Sequence, residues 1–238
     1  HQKKERCCRG PAKQNSEKKP FGCPKAFEIH HDAVYQKGLE ISIGSTHKIS
    51  HFTGMQVIRS LSEIGHNFHG GSVTIGNFDG VHLGHQELIK TAKACGRPVT
   101  VLTFSPHPAQ VLHPERQMRC LFPREDLAEI LARLGVDLLV ILQFDQAFAS
   151  WSASKFLTDA LLNPLKPKHI VAGYDFAFGR SREGTLEGLK EWGASESIQI
   201  HEVLPLQVGG SLVSSRRIRE AVTHGRVEEA HLCLGRPF

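Results

Sequence analysis

The chain has 238 residues and a formal net charge of +5, long enough for one α/β domain with a sizeable core. The charge excess lies in residues 1–54, with ten Lys/Arg against five Asp/Glu; over residues 55–238 the remaining nineteen of each sign cancel. That balance gives no support to nucleic-acid binding, and no run approaches the roughly 18 apolar residues of a membrane span or the apolar stretch of a signal peptide, so a cytoplasmic protein without membrane contact is expected.

Residues 1–54 are weakly hydrophobic and lack sustained periodicity, the chain begins at His1, and the first methionine is Met55. From Gln56 the apolar positions Val57, Ile58, Leu61 and Ile64 read as a folded domain. Residues 1–54 are therefore expected to be a disordered or non-native extension, dispensable to the domain at 55–238. Cys7, Cys8 and Cys23 lack C-x-x-C spacing, and Cys95, Cys120 and Cys233 are isolated, as thiols of a cytosolic protein would be.

The chain is organised around Ser72–Gln86, SVTIGNFDGVHLGHQ. Val73, Thr74 and Ile75 are β-formers with turn residues behind them, which predicts a strand. From Leu83 the apolar positions Leu83, Leu88, Ile89 and Ala92 predict a helix. His82, Gly84 and His85 then sit at a helix mouth, whose free N–H groups and positive dipole end suit phosphate. Gly84 admits a bulky anion, and two imidazoles offer hydrogen bonds or positive charge. Alone, the pair is equally compatible with solvated histidines or a chance metal site.

Val99–Phe104 predicts a second strand, ending in Ser105-Pro106-His107-Pro108. Pro123–Leu134 predicts a helix with Leu127, Ile130, Leu131 and Leu134 on one face and Gly135 as its stop. Leu138–Phe144 predicts a third strand, Ser152–Leu162 a helix capped by Ser152 or Ser154, and His169–Gly173 a fourth strand leading into GYDFAFG and the polar loop Arg180–Gly184. Thr185–Trp192 is helical, Ile198–Leu204 a fifth strand, and Ser214–His224 and Val227–Leu234 two last helices.

Apolar strands alternating with helices predict a parallel sheet covered on both faces. Ligands of such sheets bind outside the carboxyl ends of the strands, where four chemically rich segments converge. Alone, three of them have plain structural readings: a stiff proline loop, a strand end with two core phenylalanines, and a helix cap followed by solvated arginines. Ser215 and Arg219, four apart, share a helix face and could hold a second phosphate. Arg216 and Arg217 point elsewhere, and Arg217→Ala is expected to be mild. No Walker A segment or G-x-G-x-x-G occurs in the domain.

GNFDGVHLGHQ resembles the H-x-G-H nucleotidyltransferases, and in this longer form the adenylyltransferase domain of bacterial FAD synthetases. The resemblance covers about Met55 to Phe238. F-S-P-H-P, G-Y-D-F-A-F-G and S-S-R-R-I-R follow in the family's order, the last with Arg216 where the family has Thr, one hydroxyl fewer. It implies a Rossmann-like α/β fold of approximately five parallel strands. It implies transfer of AMP from ATP to FMN, giving FAD and pyrophosphate, with Mg2+ accompanying ATP. His82, His85 and Arg219 would be catalytic. Gly76, Phe78, Asp79, Gly80, Gly84, Ser214 and Ser215 would join them in binding ATP. Asn77, Phe104, Pro106, His107, Pro108, Asp175 and Phe178 would bind the flavin. No protein metal ligand is expected. The family's C-terminal riboflavin kinase domain would follow Phe238 and is missing, so riboflavin phosphorylation is not expected of this chain. Another phosphate acceptor, a non-catalytic nucleotide- or flavin-binding module, and a plain interaction domain remain alternatives.

Overall fold

The computed structural model describes residues 50–52 and 54–238. The expectation for residues 1–49 lies outside the described residues. The main sheet has seven strands: β1 (Ser50–Phe52), β2 (Met55–Ile58), β3 (Ser72–Ile75), β4 (Val99–Ser105), β5 (Leu138–Gln143), β6 (His169–Gly173) and β7 (Gln199–Val203). Their order is β1-β2-β5-β4-β3-β6-β7. β1 pairs antiparallel with β2, and all other neighbours are parallel.

Six parallel strands thus stand where approximately five are expected. The extra one is β2, four residues that sequence periodicity merges with the 3-10 turn Leu61–Glu63 behind it. β1 belongs to residues assigned to the extension, so a boundary at 54/55 cuts through a hairpin.

Strand residues alternate between two cores, as the two-residue period of a strand requires. On one face Met55, Val57, Val99, Val101, Leu139 and Ile141 meet α1 (Leu83–Cys95) and, beyond the short α2 (Pro108–Leu112), α3 (Arg124–Arg133). On the other face Val73, Ile75, Leu102, Val140 and Ile170 meet a helical run over residues 153–165 and α7 (Leu186–Ser195). Burial of strands on both faces explains their near-continuous apolar sequence.

The helical run follows the short α4 (Gln146–Ala149) and begins as α5 (Ala153–Lys155), capped by Ser152. It widens into a π-helix, Phe156–Leu162, and closes as α6 (Asn163–Leu165). The Asn163 N–H reaches back to the Thr158 carbonyl, five residues away. Pro164 supplies the physical reason: in α register its ring would collide with the carbonyl four residues back, and the wider turn relieves this.

After β7 come the hairpin β8 (Gln207–Val208) and β9 (Ser211–Leu212), then α8 (Ser215–Thr223) and α9 (Val227–Leu234). The last two helices share a small core of Ile218, Ala221, Ala230, Cys233 and Leu234, with Leu121 and Phe122 against it. No helix among the described residues is long and apolar enough to cross a membrane.

The chain winds from β3 through β4 to β5 in one direction, then returns to β6 and β7 on the other side of β3. The strand order therefore reverses between β3 and β6, and the crevice of such a sheet opens at the carboxyl ends there.

Candidate functional site

The loop between β3 and α1 carries unusual backbone. Phe78 has φ +48°, Val81 φ +41° and Gly80 φ +87°. Left-handed backbone at a β-branched residue costs on the order of 1–3 kcal/mol and persists only where neighbours over-determine it. They do so here. Asp79 Oδ1 accepts from the Leu121 amide at 2.7 Å, and the Val81 carbonyl accepts from Gln86 Nε2 at 3.0 Å. Phe78 is fully buried, its ring 5.0 Å from that of His85.

This loop delivers His82 as the N-cap of α1. Its Nδ1 accepts from the His85 amide at 3.3 Å, and the two rings stack with centroids 3.7 Å apart. Gly84 makes room for the ring: a Cβ there would lie 3.1 Å from His82 Cε1 and 3.2 Å from Nδ1. Because Nδ1 accepts, the neutral ring carries its proton on Nε2, a donor.

Burial, with a smaller effect from the Arg236 charge, lowers the His82 pKa to about 4. Burial and the His82 neighbour push His85 well below the usual histidine range, and its Nδ1 is buried without a partner. Of the two roles open to the imidazoles, hydrogen bonding and positive charge, burial favours the first near neutral pH. In the free protein they are neutral hydrogen-bonding groups.

At the start of α8, Ser214 Oγ caps the helix by accepting from the Arg217 amide at 3.2 Å. Ser215 Oγ donates to the Asp79 carbonyl at 2.7 Å. Arg219 donates through Nε and NH2 to Asp79 Oδ2, at 3.4 and 3.3 Å. Asp79 is thus a bracket that binds α8 to the histidine loop.

Arg217 is off the cavity lining, and it is not a solvated cation. Its Nε pairs with Glu229 Oε1 at 2.7 Å. Its NH1 donates to the carbonyls of Val208 and Ser211 at 3.0 and 2.9 Å, tying α8, α9 and the β8–β9 hairpin together.

These elements border a cavity of about 820 Å3 at the switch point. Of the expected site residues, the structure brings Gly76, Asn77, His82, Gly84, His85, Ser214, Ser215 and Arg219 to its lining. Phe104, His107, Pro108, Asp175 and Phe178 line it as well. Phe78, Asp79 and Gly80 lie behind the loop, against a smaller pocket of about 130 Å3. Pro106 is exposed and off the lining.

His107 caps α2: its Nδ1 accepts from the Ala109 amide, and Gln110 returns a bond to the His107 amide, both at 3.1 Å. Phe178 exchanges backbone hydrogen bonds with Gly184, where a Cβ would lie 2.5 Å from the Phe178 ring.

Sequence reasoning missed the aromatic part of the lining. Phe144, Phe148, Trp151 and Phe156 join Phe104, with ring centroids 5.7 Å apart for Phe104–Phe148 and 4.8 Å for Phe148–Trp151. The signal was legible: 144, 148 and 151 recur at helical spacing directly behind β5. Arg180 and Arg182 were missed too. With Arg219 they set three guanidiniums against Asp175, the one carboxylate on the lining among the described residues. Positive charge beside an apolar aromatic slot suits a ligand that is anionic at one end and flat at the other.

A second cluster lies at the opposite edge of the sheet. The potential metal-binding atoms of Cys95, His169 and His201 are all within 4.8 Å of one another. His169 Nδ1 and His201 Nε2 are 3.2 Å apart, a hydrogen bond that accounts for their approach. Burial also raises the Cys95 pKa, which opposes the thiolate a metal needs.

Comparison with known proteins agrees with this geometry. The sequence profile of the FAD synthetase family matches residues 65–217. The chain is 39% identical over 171 residues to the bifunctional riboflavin kinase/FMN adenylyltransferase of Listeria monocytogenes, covering 70% of this chain and 54% of the relative. It is 33% identical over 189 residues to the protein of that name from Escherichia coli, covering 77% and 60%. The chain thus spans little more than half the length of these relatives. A crystal structure from Streptococcus pneumoniae, described as a macrolide-efflux protein, superposes with a TM-score of 0.68 at 34% identity, covering 76% of this chain and 70% of that one. Pantoate–β-alanine ligase from Francisella tularensis shares the fold, with a TM-score of 0.51 at 18% identity over 74% and 77% of the chains. With the histidine loop, the cavity at the switch point and a profile matched across both, the chain belongs to the FAD synthetase family.

Proposed function

We propose that residues 55–238 transfer AMP from ATP to FMN, forming FAD and releasing pyrophosphate. The observation that carries this reading is the single cavity joining a histidine-capped helix start, three arginines and an aromatic slot. The names of the relatives, which pair a riboflavin kinase with an FMN adenylyltransferase, support it.

An FMN phosphate oxygen attacks the α-phosphorus of ATP in line. The bond from that phosphorus to the α,β-bridging oxygen breaks, and pyrophosphate leaves with that oxygen and its electron pair. No covalent enzyme intermediate forms. The protein's part is to align the groups and stabilise developing charge.

His82 and His85 meet the reacting phosphates at the mouth of α1. His82 donates from Nε2, with the N–H groups of the first helical turn beside it. Arg219 and Ser214 hold the leaving pyrophosphate. Ser215 has its proton engaged with Asp79, so it acts by fixing the helix end and has only lone pairs to offer a ligand. Phe78, Asp79 and Gly80 serve ATP indirectly, by shaping the loop. Asn77, Phe104, His107, Pro108, Asp175 and Phe178 meet the flavin together with the aromatic slot, while Pro106 shapes their loop.

Magnesium would arrive with ATP and supply neutralisation of phosphate charge. The lining fits an ion held by phosphate oxygens and water, with Asp175 the one carboxylate within reach among the described residues. A cytoplasmic setting is part of the same proposal.

The test is pyrophosphate release from ATP across a set of phosphate acceptors. Release with FMN and product of the mass of FAD are expected. Equal release with unrelated phosphate acceptors, or ligand binding without release, would overturn the proposal.

A further inference from the structure

We infer that Arg236 is a positioning residue for the histidine pair, latching the Gly80–Val81 backbone from the far end of the chain. Its effect on turnover rests on the adenylyltransferase reading above; its effect on the loop does not. The family profile stops at residue 217, so Arg236 lies outside the matched residues.

The geometry is specific. Arg236 NH2 donates to the Gly80 carbonyl at 2.7 Å, and NH1 donates to the Val81 carbonyl at 3.1 Å and the Leu234 carbonyl at 3.4 Å. Gln86 joins the same pair of carbonyls, donating through Nε2 to Val81 at 3.0 Å and Leu234 at 2.8 Å. The guanidinium lies 5.1 Å from the Phe122 ring centroid. Gly235, at φ +67°, lets the tail lie flush on α1, since a Cβ there would come within 2.6 Å of Leu83 Cδ2.

Among the described residues no carboxylate pairs with Arg236. A half-buried cation whose partners are carbonyls and a ring has given up water without a counter-ion, a poor bargain for stability alone. What it gains is position. The two carbonyls belong to peptides in left-handed backbone immediately before His82. A rigid planar fork bridging both fixes their planes, and so fixes where the His82 ring begins. Lysine carries the charge but offers no such fork.

The test compares Arg236→Ala and Arg236→Lys with the unaltered chain, the second variant keeping a cation near Phe122 if the first folds poorly. Two quantities are read: pyrophosphate release with ATP and FMN, and the His82 imidazole titration by NMR, which needs no turnover. In both variants kcat should fall by about 10²-fold, the scale of roughly 1 Å of misplacement, while KM for ATP changes less than about threefold. The His82 titration should move up from about 4. Added guanidinium, but not ammonium, should restore part of the turnover of Arg236→Ala. Wild-type turnover in Arg236→Lys, or a His82 titration unchanged in that charge-keeping variant, overturns the latch; a shift in Arg236→Ala alone reports only the lost charge. If the unaltered chain releases no pyrophosphate, the adenylyltransferase reading has failed, and the His82 titration of Arg236→Lys decides the latch.

Discussion

The His82 ring accepts the amide proton of His85 while lying 3.7 Å above the His85 ring, so one residue is both helix cap and face of the site. The two roles can be separated. His82→Asn keeps a capping side chain, while His82→Ala loses about 1 kcal/mol of cap. Both should lower turnover by about 10²-fold, the scale of losing one preorganised donor. Chemical denaturation should find only the alanine variant less stable. Equal turnover in wild type and His82→Asn would leave His82 a cap and nothing more.

The same burial makes stability depend on pH in a stated direction. The unfolded His82 takes a proton near 6.5, whereas the folded one waits until about 4. Between those values the unfolded chain binds more protons, so stability rises with pH there. Unfolding free energy should be flat from this group above about pH 6.5 and fall as the pH drops toward 4, by on the order of 3 kcal/mol. His85 adds to the fall in the same direction. Denaturant titrations of wild type and His82→Asn across that window should diverge as the pH falls; parallel curves would show that the ring is solvated.

Gly84→Ala separates helix propensity from the site. Alanine favours a helix by up to about 1 kcal/mol over glycine, and Gly84 lies in the first turn of α1. Its methyl group would press on the His82 ring. The expected variant is at least as stable as wild type and slower in turnover by tenfold or more, about 1.4 kcal/mol of barrier. A variant that is both stable and fully active would mean the ring can give way.

Two arginines on one helix should fail differently. Arg217→Ala breaks an ion pair and three carbonyl contacts, so a loss of about 1–3 kcal/mol of stability is expected. Arg219→Lys keeps a cation on the lining but loses the fork on Asp79. Its loss should lie in turnover, with the melting temperature little changed. If Arg219→Lys melts early and Arg217→Ala stays stable but inactive, the two assignments are reversed.

The aromatic slot predicts an optical signal. Trp151 is on the cavity lining, 4.8 Å from Phe148. FMN should quench its fluorescence, ATP should quench much less, and Trp151→Phe should abolish the FMN effect. Equal quenching by both nucleotides would move the flavin out of the slot.

Much of this was legible in the chain. The strands β3 to β6 announce themselves by apolar runs because both their faces are covered, while the edge strand β7, QIHEV, shows only in its β-formers. The histidine loop is visible as glycine and aspartate between strand and helix. Side-chain orientation was not legible. Phe78 and Asp79 sit within the motif yet turn away from the cavity, because left-handed backbone at Phe78 redirects the chain. Arg217 looked solvated because its partners, Glu229 and the β8–β9 carbonyls, are brought to it by tertiary folding. β1 and β2 were missed because strands of three and four residues carry too little periodicity to register.

The π-helical turn gears one end of its helix to the other. Phe156, on the cavity lining, and Leu165, in the core, are both fixed points of the same run. Between them the wide turn takes up a residue that an α-helix would spend as about 100° of rotation. Were that turn to tighten, one fixed point would have to swing away. Both are buried in the same core, but Phe156 also borders the cavity, so the aromatic slot is the end with open volume to turn into. The width of the slot is therefore written in the phase of a helix and in the proline that sets it.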